Sequence, residues 1–460
     1  MRYSFCAVGR MLFPTIGFTL FFLLVLAKWP SLQLCARARF LAMASALFCA
    51  SASPALLGYV ACWAGLLTFA GNRKEHAVRV TVVGLALLQL VFWKSFEAVP
   101  RGLLPEAVAT WAVPLGVSFF TFQGLTYLFG RMTGSVPDAW RFEKVFAFCA
   151  FFPTIFSGPI LRAQQWSEQL NAPEPVSDVT FNRAMSWLTL GLGYKLVLAT
   201  LLGEIVDAAW SAPAEQPAAT LWLAAYAYAF QLYADFAGYS LLALAIALLL
   251  GFQLPPNFDQ PYLATSVQAF WRRWHMSFSS WLRDYLYIAL LGGNAHGRKR
   301  QVVNVLVTFF LCGAWHGLAL HYLIWGVWQA LAVAYSTVSR MVWGESTPGL
   351  ARRTLNWFIA FHVIVLGWIW FRAPSTSDAL DYFGALAGPA GAWQPEYLTS
   401  MLLIAAAMLL HVSEKRILSR LAGMGVGLPW LLRCVFWATL IILVLVLSPA
   451  GLPPFIYFRY

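Results

Sequence analysis

Apolar runs of about twenty residues recur along almost the whole chain, and nothing else in it narrows the possible folds as much. About twenty consecutive apolar residues suffice to cross the hydrocarbon core of a bilayer. Such runs lie near 11–27, 40–70, 79–97, 108–130, 144–161, 184–206, 217–234, 238–254, 301–319, 321–343, 354–372, 399–412 and 430–449. The second is long enough for a tight helical pair. Pro or Gly interrupts several runs, so roughly 11 to 13 crossings are expected. Only 11% of the 460 residues are charged, where a soluble domain carries roughly 25%. The chain therefore reads as an all-α polytopic membrane protein. The longest polar stretches, near 166–183 and 345–353, are loop-sized, so 1–460 reads as a single membrane domain. The first run follows Arg2 and Arg10, is closed by Lys28 and shows no small-residue cleavage site. It is expected to be a retained helix.

The net charge of +12 reports topology in such a chain. Basic residues cluster at Lys28/Arg37/Arg39, Arg73/Lys74, Arg272/Arg273/Arg283 and Arg298/Lys299/Arg300, and acidic ones at Glu204/Asp207/Glu215. The positive-inside rule puts the basic segments in the cytoplasm and 204–216 outside. A nucleic-acid partner is not expected, because basic and aromatic residues do not interleave on a solvated face. The seven cysteines are scattered through apolar segments without a CxxC pair. They read as small buried hydrophobes, with no disulfide framework and no metal site.

The least hydropathic stretch inside the domain is 255–300. Pro255, Pro256 and Pro261 keep 255–262 from being a helix interior. Thr265 with Gln268 then suggests a capping box opening a helix over 266–285. Phe270, Trp274, Phe278 and Trp281 fall at helical spacing there, as on an amphipathic helix in the headgroup layer. That leaves His275 and the Arg283–Asp284 pair unexplained. Next come Gly292, Gly293 and Asn294, followed by Arg298–Lys299–Arg300. They could form an anion-binding nest for the phosphates of a coenzyme-A-like donor, or a cytoplasmic turn carrying topology-setting charge.

A second histidine, His316, sits about forty residues on in Gly313–Ala–Trp315–His316–Gly317. Ionisable groups in such apolar surroundings are functional candidates by default. A metalloenzyme would need clustered ligands, and no HExxH occurs. A serine hydrolase would need a GxSxG elbow, and none is present. Ser157 sits in a setting too apolar for a nucleophile. Proton-coupled transport would want several acidic groups at mid-membrane, and Gln231, Asp235 and Tyr239 supply few. A lone histidine pinned beside an indole suits a general base for a hydroxyl acceptor. Gly313 and Gly317 could let a substrate chain pass close to the backbone. The alternative for His316 is a buried histidine hydrogen-bonded to a neighbouring helix.

These residues resemble the membrane-bound O-acyltransferase family, and within it the bacterial alginate, cellulose and peptidoglycan O-acetylation membrane proteins. The stretches that carry the likeness are Val113–Phe122, Phe152–Pro153, Ser157–Arg162, Gln231–Ser240 and Asn257–Tyr262. Phe270–Ser277, Trp281–Tyr287, Gly313–Gly317 and Gly367–Arg372 continue it, in the family's order across about 110–375. The resemblance implies a ring of roughly eleven membrane helices around a funnel, with re-entrant cytoplasmic segments. It implies that His316 is the catalytic histidine and His275 the second family histidine, which positions donor or substrate. Trp315, Arg283, Asp284, Gln231, Asp235 and Asn257 are implied as substrate-binding residues. No bound cofactor is expected; acetyl-CoA or another acyl thioester would be the donor.

The implied activity is acetyl transfer from a cytoplasmic thioester across the bacterial inner membrane. The acceptor would be an exported polysaccharide, with a periplasmic acetyltransferase partner protein finishing the transfer. A D-alanyl transferase of the lipoteichoic-acid type and a non-catalytic lipid or acyl transporter are the rivals. Leu291–Gly–Gly–Asn294 favours the acetylation branch over the first. The chain departs from relatives at Leu241, where they carry Asp after Gly–Tyr–Ser.

Overall fold

A computed structural model describes residues 15–99, 113–295, 297–343 and 349–449. The described residues are helical, with turns and short 3-10 and π segments and no strand among them. Eight of the described helices are long and apolar enough to cross a bilayer. With no water in the hydrocarbon to satisfy backbone N–H and C=O groups, a helix that bonds its own backbone is the available solution. This is a multi-pass membrane protein.

Several expected runs take a different form. The 40–70 run is a helical pair, Leu34–Ala52 and Pro54–Asn72, broken at Ser53 where the following proline restricts the backbone. The runs at 217–234 and 238–254 fuse into one 32-residue helix, Ala218–Leu249. No proline lies between them, and Gly238 is tolerated inside a helix at a cost of about 1 kcal/mol. At about 1.5 Å per residue this helix exceeds a bilayer core. The 144–161 run is not a span. Its helix, Phe142–Cys149, is followed by buried turns up to Arg162, forced by Pro153 and Pro159. The 399–412 run extends to a 30-residue helix, Pro395–Met424.

The chain divides into two compact units. One comprises residues up to Leu192 with Tyr239–Pro255 and Leu421–Cys434. Its interior is aromatic: Phe21, Phe48 and Phe152 pack with ring centroids 5.3–6.1 Å apart. Gln123 organises the irregular segment, its Oε1 accepting from Leu161 N at 3.4 Å. Ser157 is fully buried there. Gly116 opens the Val117–Thr133 helix with φ of 72°, and a side chain on it would collide with Ile155 O. Two of the motif stretches, 113–122 and 152–162, thus serve packing within this unit. The unit also carries an open cleft of about 860 Å³ lined by Arg39, Asp138, Lys144 and Glu168 among others.

The other unit comprises Gly193–Gly238, Pro256–Arg420 and the chain from Val435. It contains both candidate histidines.

Candidate active site: two histidines joined by a run of rings

The segment after Pro256 is extended because its prolines deny it a helix, and its polar groups turn to the residues that follow. Asp259 N donates to Arg273 O at 3.0 Å, and Met276 N donates to Asn257 O at 2.8 Å. The Asn257 side chain is 1% exposed. Its Oδ1 accepts from Ser277 Oγ at 2.6 Å and from Ser277 N at 3.3 Å. A backbone N–H can only donate, so these bonds fix the amide's orientation. His275 Nδ1 lies 3.4 Å from the same oxygen, which puts the proton on Nδ1 and leaves Nε2 as the basic nitrogen.

These contacts break the helix expected over 266–285. It is two short helices, Val267–Trp271 and Met276–Trp281, followed by a π-helix, Leu282–Leu290. His275 joins them in the left-handed region, φ 44° and ψ 53°. That conformation costs a non-glycine residue roughly 1–2 kcal/mol, which the bonds to Asn257 offset. The first helix is capped by Ser266, whose side chain accepts from Ala269 N, one residue after the expected Thr265. The His275 ring is buried between Phe236 at 4.7 Å and Phe278 at 5.1 Å. The residue lies outside the spanning helices, and burial pushes its imidazole down to about 3. It is neutral at physiological pH.

His316 is the last residue of the Gly297–His316 helix, and its walls are rings. Trp315 lies at 4.4 Å, Phe371 at 4.8 Å and Trp325 at 5.1 Å between centroids. It is only half-buried. Phe278 and Trp315 stand 4.3 Å apart, so His275, Phe278, Trp315 and His316 form one unbroken run of rings. Beside the run, Trp368 packs on Trp274 at 5.2 Å and on Trp325 at 5.9 Å. The late motif Gly367–Arg372 thereby gains a physical role: it supplies Trp368 and Phe371 to the walls.

Of the expected site residues, His275, Asn257, Trp315 and His316 come together. Gln231 and Asp235 lie buried on the Ala218–Leu249 helix, and Phe236 directly follows Asp235. Asp235 is ion-paired with Lys195, and Gly203 leaves room for the Gln231 amide. Arg283 and Asp284 pair with each other at 2.8 Å, with side chains 64% and 37% exposed. One of the two alternatives for 292–300 falls away and one expectation is corrected. Gly292 and Gly293 are left-handed, but their N–H groups donate to Ile288 O and Tyr287 O at 3.1 and 2.8 Å, so they do not form an anion nest. The space beside Gly313 is taken by Tyr322 O and Gly326, and that beside Gly317 by the Tyr322 ring. These glycines permit close helix packing and do not open a substrate path. Residue 296 lies outside the described residues.

Sequence reasoning missed a second polar cluster in this unit. Lys195 sits in a π-helical turn, Gly193–Leu198, that carries it to Asp235. Glu414 accepts from Tyr194 at 3.0 Å and from Tyr233. His411, one turn earlier, packs edge-on to Tyr233 at 4.5 Å. A lysine in the middle of the apolar 184–206 run was a usable signal for the first. The boundary drawn at 412 hid Glu414.

The chain belongs to the membrane-bound O-acyltransferase (MBOAT) family, whose model matches residues 74–371. It is 34% identical over 326 residues to the probable alginate O-acetylase AlgI of Pseudomonas fluorescens, covering 70% of this chain and 63% of that protein. It is 30% identical over 309 residues to a peptidoglycan O-acetyltransferase of Helicobacter pylori, covering 60% and 57%. To a teichoic acid D-alanyltransferase of Streptococcus thermophilus it is 32% identical over 232 residues, covering 48% and 55%. The chain spans less than two thirds of the length of each of these three relatives. His275 and His316 both fall inside the family-matched stretch, and His411 and Glu414 fall beyond it.

Proposed function

We propose that this protein is an integral-membrane O-acyltransferase in which His316 is the general base. The acyl donor is a thioester, acetyl-CoA in the simplest case, and the acceptor is a hydroxyl. The imidazole takes the hydroxyl proton as the oxygen attacks the thioester carbonyl. The tetrahedral adduct then collapses, and the departing thiolate takes the proton back from the imidazolium. No covalent enzyme intermediate is needed. The positive charge carried in between sits at the carbonyl end of a helix, where cations are favoured.

The observation that carries this reading is the half-exposed His316 ring, walled by Trp315, Trp325 and Phe371 and joined through contacting rings to His275. The acyl-transfer activities of the relatives support the same chemistry. In the fuller proposal the protein lies in a bacterial inner membrane and passes acetyl from a cytoplasmic thioester outward. A periplasmic partner protein then places it on an exported polysaccharide.

The test is transfer of labelled acetyl from acetyl-CoA in membranes carrying wild type or His316→Ala. Loss of a general base costs about 10²–10⁴ in rate. Loss of that size with normal expression supports the base. A wild-type rate would make His316 structural and favour a lipid or acyl transporter. The similarity to a D-alanyltransferase motivates a second reading, D-alanyl transfer from a carrier-protein thioester. Offering both donors to the same membranes separates the two.

A further inference from the structure

Among the described residues only Gln260 and His275 are non-glycine residues with left-handed backbone, at φ 48° and 44°. They bracket one stretch of chain, and each is held from outside it. His275 is held by Asn257, as above. Gln260 is held by the Pro395–Met424 helix: its Nε2 donates to His411 O at 3.0 Å and to Val412 O at 2.8 Å. Two residues on, Tyr262 N donates to His411 Nε2 at 3.2 Å. Lys415 pairs with Asp259 at 2.5 Å, which adds a third tie from the same helix. His411 is 1% exposed, and Tyr233, itself anchored on Glu414, packs against its ring. Tyr262 N is a buried donor in an irregular segment, and such a group is costly to leave without an acceptor. The imidazole lone pair is the acceptor it has.

We propose that His411 is a positioning residue for the reaction. It accepts from Tyr262 N and fixes the far end of the 257–262 segment, whose near end, through Asn257, sets the turn at His275. The family-matched stretch ends at residue 371, so this role belongs to a helix outside it. The inference rests on the acyltransferase reading for its kinetic arm only.

The experiment compares His411→Leu, which removes the acceptor, with His411→Gln, whose side-chain oxygen can restore it. Both are made in the full chain, alone and with Asn257→Ala. Acetyl transfer is measured in membranes, and hydrogen–deuterium exchange of residues 257–277 is followed in detergent. Misplacing a catalytic element by about 1 Å can cost on the order of 10²-fold. His411→Leu should therefore lower kcat by about 10–10²-fold with KM for acetyl-CoA held, and speed exchange across 257–277. His411→Gln should restore both. With Asn257→Ala already present, His411→Leu should add little, because both act on one segment.

Wild-type kcat and exchange in His411→Leu would overturn the proposal. So would a Gln variant as impaired as Leu, or effects that simply multiply with Asn257→Ala. If wild type transfers nothing, the acyltransferase reading falls, and the exchange data still decide whether His411 restrains the segment.

Discussion

His275 and His316 end the same run of four rings, yet the chain holds them by different means. The His275 turn is made of hydrogen bonds. Asn257 gathers Ser277 and His275 on one oxygen, and the backbone takes a left-handed step to allow it. The ring ends up sealed and neutral. The His316 region is made of packing. A helix stops, three aromatic rings pack edge-to-face against the imidazole, and it stays partly accessible. A base that must meet a substrate hydroxyl needs the second kind of setting. A residue that must keep a segment in place is better served by the first. The contrast suits the roles proposed above, chemistry at His316 and alignment at His275.

The largest test of that contrast lies behind the His275 ring, where Phe236 follows Asp235 on the long helix. Lys195→Met removes the cation from a buried ion pair with Asp235, a loss of roughly 3–5 kcal/mol. Folded yield, read by fluorescence-detected size exclusion, should fall sharply. The paired change Lys195→Met with Asp235→Leu should recover most of it, since two apolar groups replace two charges. If the double variant folds but the His275 wall were built on the charge pair, exchange at 275–278 would rise.

Next in size is Asn257→Ala. It removes the oxygen on which the Ser277 and His275 donors converge, at about 1–3 kcal/mol. The thermal midpoint in detergent should drop, and by clearly more than for Trp325→Phe beside His316, where only part of a packed wall is lost. Equal drops would erase the distinction between a hydrogen-bonded and a packed site.

The smallest effect is conformational. Because His275 sits at φ 44°, His275→Gly should be more stable than His275→Ala by about 1 kcal/mol, the reverse of what a helix interior would give. An Ala variant at least as stable as Gly would place that residue in ordinary helical backbone.

Much of this could be read from the residues, and the exceptions have identifiable causes. The membrane class, the helical pair after Leu34 and the grouping of Asn257, His275, Trp315 and His316 follow from hydropathy and from motif order. The break at His275 was hidden because the residue there is neither Gly nor Pro. What bends the chain is Asn257, eighteen positions away, and spacing within 266–285 cannot reveal it. Gly238 in a polar patch suggested two helices where tertiary burial sustains one. Gly313 and Gly317 looked like openings because a sequence shows a missing side chain but not the Tyr322 and Gly326 atoms that fill the space. His411 lay within the predicted span, but its partners Gln260 and Tyr262 are some 150 residues earlier.

The most direct test of the account is diethyl pyrocarbonate modification, with peptide mapping and acetyl transfer followed on the same samples. The reagent attacks unprotonated imidazoles that it can reach. Loss of transfer should track carbethoxylation of His316, while His275 stays unmodified in the folded protein. If His275 is labelled as fast as His316, or if transfer persists after His316 is fully modified, the division of labour between the two histidines is wrong.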